Sequence, residues 1–289
     1  MIVIEPEYVS ESPQVAAPTA PRRLAWWDGL LLLAMMPVLY LTSAALVGAV
    51  RSFQVALSHP GLSRSELVAR LNTPGVVFAA SALAQVLLVL CLLAWTLVRL
   101  RGRTRPELGL VVDLPPVAWV LAPVLALAPL VLLPPLVFAA QFLGEAPDVP
   151  LERLIERASF TELVWFATFG VVLAPLCEEL IFRGFLYPIA ARYVRGWLAI
   201  AAVSAAFVVV HVAQTGAYWV SMILIGSVAV LLTWQRAYFG SVIPSWITHT
   251  CYNAVVLGIA AAGLSGQAIL KLYYYASSFR ALLPGQWNL

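Results

Sequence analysis

Long apolar runs alternate with short polar stretches along this chain, and the runs have the length of membrane-crossing helices. They cover about Leu24 to Val50, Gly75 to Val98, Pro116 to Leu143, Thr161 to Tyr187, Trp197 to Ala213, Tyr218 to Trp234 and Val242 to Ala262. About 20 mostly apolar residues cross a bilayer as a helix. The pattern therefore predicts an all-α, polytopic transmembrane helical bundle of about seven spans (six to eight). Trp26 and Trp27 stand at the start of the first run like an interfacial belt. The third run carries Pro123, Pro129, Pro134 and Pro135, which predicts a kinked or partly re-entrant segment, because each proline removes a backbone hydrogen bond. Arg51 to Pro74 reads as a loop with a short amphipathic piece, Arg64 to Leu71, and Gly144 to Phe160 as a mixed-charge loop.

Four regions follow from this pattern. Residues 1–23 form an acidic, proline-containing tail that reads as disordered. Residues 24–160 hold the first helices and loops, and residues 161–262 a helical core that bears the motifs described below. Residues 263–289 read as an interfacial segment. No internal repeat is apparent.

Composition agrees with a membrane setting. Hydrophobic residues make up 62% of the chain and charged ones 11%, outside the range of soluble domains. The net charge of +3 is too small to imply a nucleic-acid partner. Cys91, Cys177 and Cys251 all lie in or beside apolar runs, with no metal-type spacing and no case for disulfides. The N-terminus lacks the basic start and short apolar core of a signal peptide. The densest basic group is Arg99, Arg101, Arg103 and Arg105. It places that loop and the N-terminus on the cytoplasmic side, in a multi-pass protein of the plasma or inner membrane.

Against this background, Glu178, Glu179 and Arg183 are expensive. A charge at the centre of a membrane helix costs roughly 2.5–3.5 kcal/mol on insertion scales. Glu179 and Arg183 stand at i and i+4 and can neutralise each other. Glu178 lies about 100° round the helix and lacks that partner. Taken alone, the stretch reads as a helix end with interfacial charges. Two histidines change the picture. The midpoint between 178 and 211 falls beside Gly196, at the only turn signal between the fourth and fifth runs, so Glu178 and His211 should sit level on antiparallel helices. His249 and Asn253, also at i and i+4, lie on the seventh run and can reach the same cavity. Two carboxylates, one arginine, two imidazoles and one amide form a catalytic inventory. A carboxylate or carboxylate–imidazole pair can deprotonate water, and an imidazolium with an amide can hold an oxyanion.

The pattern resembles the CAAX protease and bacteriocin-processing (CPBP) family of intramembrane proteases, whose motifs are E-E-x-x-x-R, F-x-x-x-H and H-x-x-x-N/D. Here they read Glu178-Glu179-Leu180-Ile181-Phe182-Arg183, Phe207-Val208-Val209-Val210-His211 and His249-Thr250-Cys251-Tyr252-Asn253. The resemblance covers about residues 161–262. It implies peptide-bond hydrolysis in the membrane, with Glu178 as general base on water and His211 as its helper. It also implies His249 and Asn253 on the oxyanion side, and Glu179 with Arg183 holding the arrangement. The implied partners are a membrane-associated peptide or protein substrate and the lipid bilayer, with no nucleic acid. The family carries a metalloprotease label, and Glu178, His211 and His249 would supply a set that suits zinc. The glutamate–histidine mechanism needs no metal, so the cofactor stays open. A non-catalytic scaffold or bacteriocin-immunity protein of the same fold is the alternative. A transporter is a weaker one, since repeated halves are absent.

Overall fold

The computed structural model describes residues 23–71, 73–100, 104–143 and 149–261, and among these there are helices and connections but no strand. The tail expected to be disordered, the interfacial segment expected at 263–289, and Arg101 and Arg103 lie outside the described residues.

Helices α1 (Trp26–Ser58) and α3 (Pro74–Leu100) form an antiparallel hairpin joined through the short helix α2 (Arg64–Leu71). At 1.5 Å per residue, the 33 residues of α1 extend about 50 Å, beyond the roughly 30 Å hydrocarbon layer and past the boundary expected at Val50. After the short helix α4 (Thr104–Glu107), the proline-rich third run breaks as expected. It comprises α5 (Pro116–Leu125), a 3₁₀ turn at Pro129–Leu132 and α6 (Leu133–Phe142).

The region read as a mixed-charge loop contains a helix, α7 (Pro150–Arg157). Pro150 opens its first turn, where a missing N–H costs nothing. Leu151, Leu154 and Ile155 recur at helical spacing, giving it one apolar face. Helix α8 (Phe160–Thr168) begins on a capping box, in which the Ser159 hydroxyl accepts from the Glu162 amide and the Glu162 carboxylate accepts from Ser159. It continues through α9 (Ala174–Glu179) and α10 (Tyr187–Tyr193) as one rod. Helices α11 (Gly196–Thr215), α12 (Trp219–Phe239) and α13 (Ile243–Ala261) complete the bundle.

Among the described residues, six helical stretches are long and apolar enough to cross a membrane: 26–58, 74–100, 116–140, 160–193, 196–215 and 219–239. The seventh expected run folds as α13, a 19-residue helix, but is not among the six. Ser245, Thr248, His249 and Asn253 lower its hydropathy. Apolar side chains such as Leu41, Phe53 and Val209 point outward, which lipid tolerates and water does not. The chain is a multi-pass membrane protein.

Polar contacts fix how the helices run. At one end, the Arg192 guanidinium donates to the Leu24 carbonyl and pairs with Glu107 at 2.6 Å. At the opposite end, the Gly75 amide donates to Glu162 at 2.7 Å. Helix α3 and the 160–193 rod therefore run parallel, with Glu178 near mid-depth.

Candidate active site

The rod that carries Glu178 and Glu179 is not a uniform α-helix. Residues Phe169–Leu173 and Leu180–Leu186 are wound as π-helix. In each stretch an amide reaches back five residues: Ala174 to the Phe169 carbonyl, and Tyr187 to Phe182. The next amides in that register would serve Gly170 and Arg183, but those positions are Pro175 and Pro188, which have no N–H. Two carbonyls are thereby left open inside the protein, and each takes a side-chain donor. The Asn253 amide donates to the Gly170 carbonyl at 2.8 Å, and Arg236 Nε donates to the Arg183 carbonyl at 3.1 Å. The wide turn at 180–186 is covered by the segment after α4. A Cβ on Gly184 would lie 3.1 Å from the Leu108 carbonyl. Gly109, at a φ of +70°, passes where any Cβ would strike the Arg236 guanidinium.

Glu179 and Arg183 are fully buried and paired at 3.0 Å. The other two nitrogens of Arg183 donate as well: Nε to Thr233 Oγ1 at 3.2 Å and Nη2 to the Ala229 carbonyl at 3.0 Å, both on α12. Its guanidinium lies 4.6 Å over the Phe207 ring. That ring also packs on His211, at 4.4 Å between centroids, and edge-on to Phe182 and His249. The aromatic position of the second motif is thus the common wall of the buried charge pair and both imidazoles.

Hydrogen bonding fixes which face each imidazole turns to Glu178. His211 Nδ1 lies 2.7 Å from the Phe207 carbonyl, which can only accept, so Nδ1 carries the proton. His249 Nδ1 lies 3.0 Å from the Glu179 carboxylate and donates to it for the same reason. In the neutral state both rings present an Nε2 lone pair. These two atoms stand 3.9 Å and 3.8 Å from Glu178 Oε2. Neither distance is a direct hydrogen bond. The gap is wide enough for a water to bridge the carboxylate and an imidazole. Glu178 keeps some exposure, with 14% of its side chain accessible, whereas Glu179 has none.

The structure therefore gathers Glu178, Glu179, Arg183, His211 and His249 around one point. Asn253 lies one turn further along α13, with its amide committed to Gly170. A zinc ion shared by Glu178, His211 and His249 would need each donor within about 2.0–2.2 Å of it. Among the described residues, no group of three or more His, Cys, Asp or Glu is set closely enough to hold a metal. No step below passes through a metal.

Two polar residues of the first helices went unnoticed in the sequence. Gln85 on α3 donates to Glu178 Oε1 at 3.4 Å. It is the only amide side chain between Gly75 and Val98, a signal that was available. Asp28, buried at the start of α1, accepts from Trp95 at 2.9 Å and from Arg99 through two contacts of 3.3 Å, all across the α1–α3 interface.

Residues 160–255 match the family model described as type II CAAX prenyl endopeptidase Rce1-like. Over this segment the chain is similar to that family. The matched segment spans the rod with both π turns and the helices bearing both histidines. No curated protein and no solved structure matches the chain.

Proposed function

We propose that the protein is an intramembrane endopeptidase that hydrolyses a peptide bond of a membrane-associated peptide with a water activated by Glu178. The observation that carries this reading is the convergence of Glu178 Oε2 with two outward-facing imidazole nitrogens at 3.8–3.9 Å inside the Rce1-like domain. Glu178, free of the ion pair that occupies its neighbour, takes a proton from the water as its oxygen attacks the carbonyl carbon. His211, oriented by the Phe207 carbonyl, helps to hold that water. The carbonyl oxygen becomes an oxyanion. His249, once protonated, donates to it from Nε2, and the second N–H of Asn253 is the further donor. The proton held by Glu178 then passes to the leaving nitrogen as the C–N bond breaks. Glu179 and Arg183 keep His249 and the helix in place, and the mechanism needs no metal.

The test uses the purified full chain in lipid vesicles with a farnesylated peptide ending in a CAAX-type sequence, and with the same peptide without its lipid. Products are read by mass spectrometry. Wild type should release a hydrolysed fragment from at least one of the two, and Glu178→Gln from neither. Equal cleavage by both proteins would remove Glu178 from the chemistry. A folded wild type that cleaves neither peptide would refute both as substrates.

A further inference from the structure

We propose that Gln85, on the second membrane helix and outside the 160–255 domain, is the positioning residue that fixes the Glu178 carboxylate for attack. The inference rests on the reading of Glu178 as general base. Its starting point is the orientation of the donors around that carboxylate. Both neutral imidazoles turn lone pairs toward Oε2, because their Nδ1 protons are taken by the Phe207 carbonyl and by Glu179. While both rings are neutral, neither donates to Glu178. Arg183 is occupied by Glu179, Thr233 and the Ala229 carbonyl, and Cys177, the adjacent buried thiol, points into the apolar core. The N–H donated to Glu178 comes from Gln85, on Oε1. This contact decides which oxygen is held and which is left facing the histidines. At 3.4 Å it is long, as catalytic hydrogen bonds commonly are before substrate arrives.

Stability does not account for an amide at this position. Gln85 Oε1 is buried and has no hydrogen-bond partner among the described residues, a state that carries a desolvation penalty and that an apolar side chain of similar shape would avoid. A residue that weakens the fold while orienting the base is the pattern expected of a group kept for activity. The same oxygen offers an acceptor beside the carboxylate for an N–H of the bound peptide backbone.

The experiment compares Gln85→Met, Gln85→Asn and wild type, all as the full chain, with Glu178→Gln as the reference. Infrared difference spectra of wild type against Glu178→Gln isolate the stretching band of the ionised Glu178 carboxylate, which needs no substrate. That band should shift in Gln85→Met, while thermal stability stays equal to wild type or rises. With the farnesylated peptide, kcat in Gln85→Met should fall between about 10- and 100-fold, with KM within about twofold, and Gln85→Asn should recover part of the loss. An unshifted Glu178 band, or a loss of kcat that tracks a loss of stability, overturns the proposal. A shifted band in a protein whose wild type cleaves no peptide supports the positioning contact and refutes the proteolytic reading instead.

Discussion

Replacing Glu179 by alanine would leave the Arg183 guanidinium buried beneath Phe207 with only neutral partners. Breaking one half of a buried pair costs about 3–5 kcal/mol, so Glu179→Ala should unfold at markedly lower temperature in detergent than wild type. Glu178→Gln should unfold within a degree or two of it and yet fail to cleave. Equal thermal stability of the two variants would mean that the buried pair is not what anchors the site. The metal question belongs to the same scale. If Glu178 and His211 act on water directly, protein purified with a chelator should keep its activity, and elemental analysis should find no stoichiometric zinc. One zinc per chain, lost together with activity in His249→Ala, would make the carboxylate and imidazoles metal ligands. The single residues were legible to different degrees. The Glu179–Arg183 pair and the level placement of Glu178 and His211 followed from spacing alone. Gln85 and Asp28 did not, because a lone polar residue in an apolar run gives no indication of its partner. The tie of Asn253 to Gly170 was hidden for a different reason, since it depends on a carbonyl that is free only because the helix is wound wide.

At the scale of the helix, the two prolines five residues beyond Gly170 and Arg183 explain why this rod accepts donors from its neighbours. Arg236→Ala should orphan the Arg183 carbonyl and destabilise the protein by about 1–3 kcal/mol. In a Pro188→Ala background the new amide can close the bond to Arg183 itself, and the same Arg236→Ala change should then cost less. A double-mutant cycle on thermal or denaturant unfolding should give a coupling of about 0.5–3 kcal/mol. Strict additivity would mean that the carbonyl contact is unimportant to Arg236. Among the elements, the apolar runs were visible because bilayer thickness imposes their length. Helix α7 was not, because two turns of mixed charge fall below the window in which periodicity can be counted, although Pro150 marked its start. The seventh run was visible as a helix, but its polar face makes it a core element that falls short of the six long apolar spans.

For the whole molecule, the parallel course of α3 and the 160–193 rod sets a topology that can be tested. With the arginine group at 99–105 on the cytoplasmic side, reporter fusions after Arg105 and after Gln214 should fall on opposite sides of the membrane. The same side for both would overturn the seven-span model. The α1–α3 hairpin bears on how such a molecule is made. Asp28 finds Trp95 and Arg99 within the first hundred residues, so the hairpin can make these contacts to its carboxylate before the 160–255 segment is made. Translation at roughly 5–20 residues per second gives it on the order of 3–12 seconds before residue 160 is made. The later helices then enter a bilayer that already holds a finished surface, with Gln85 at mid-depth and the Leu24 carbonyl at one end, ready to receive Glu178 and Arg192. Synthesised as a separate chain, the 160–255 domain would have to assemble its charges in lipid without that template.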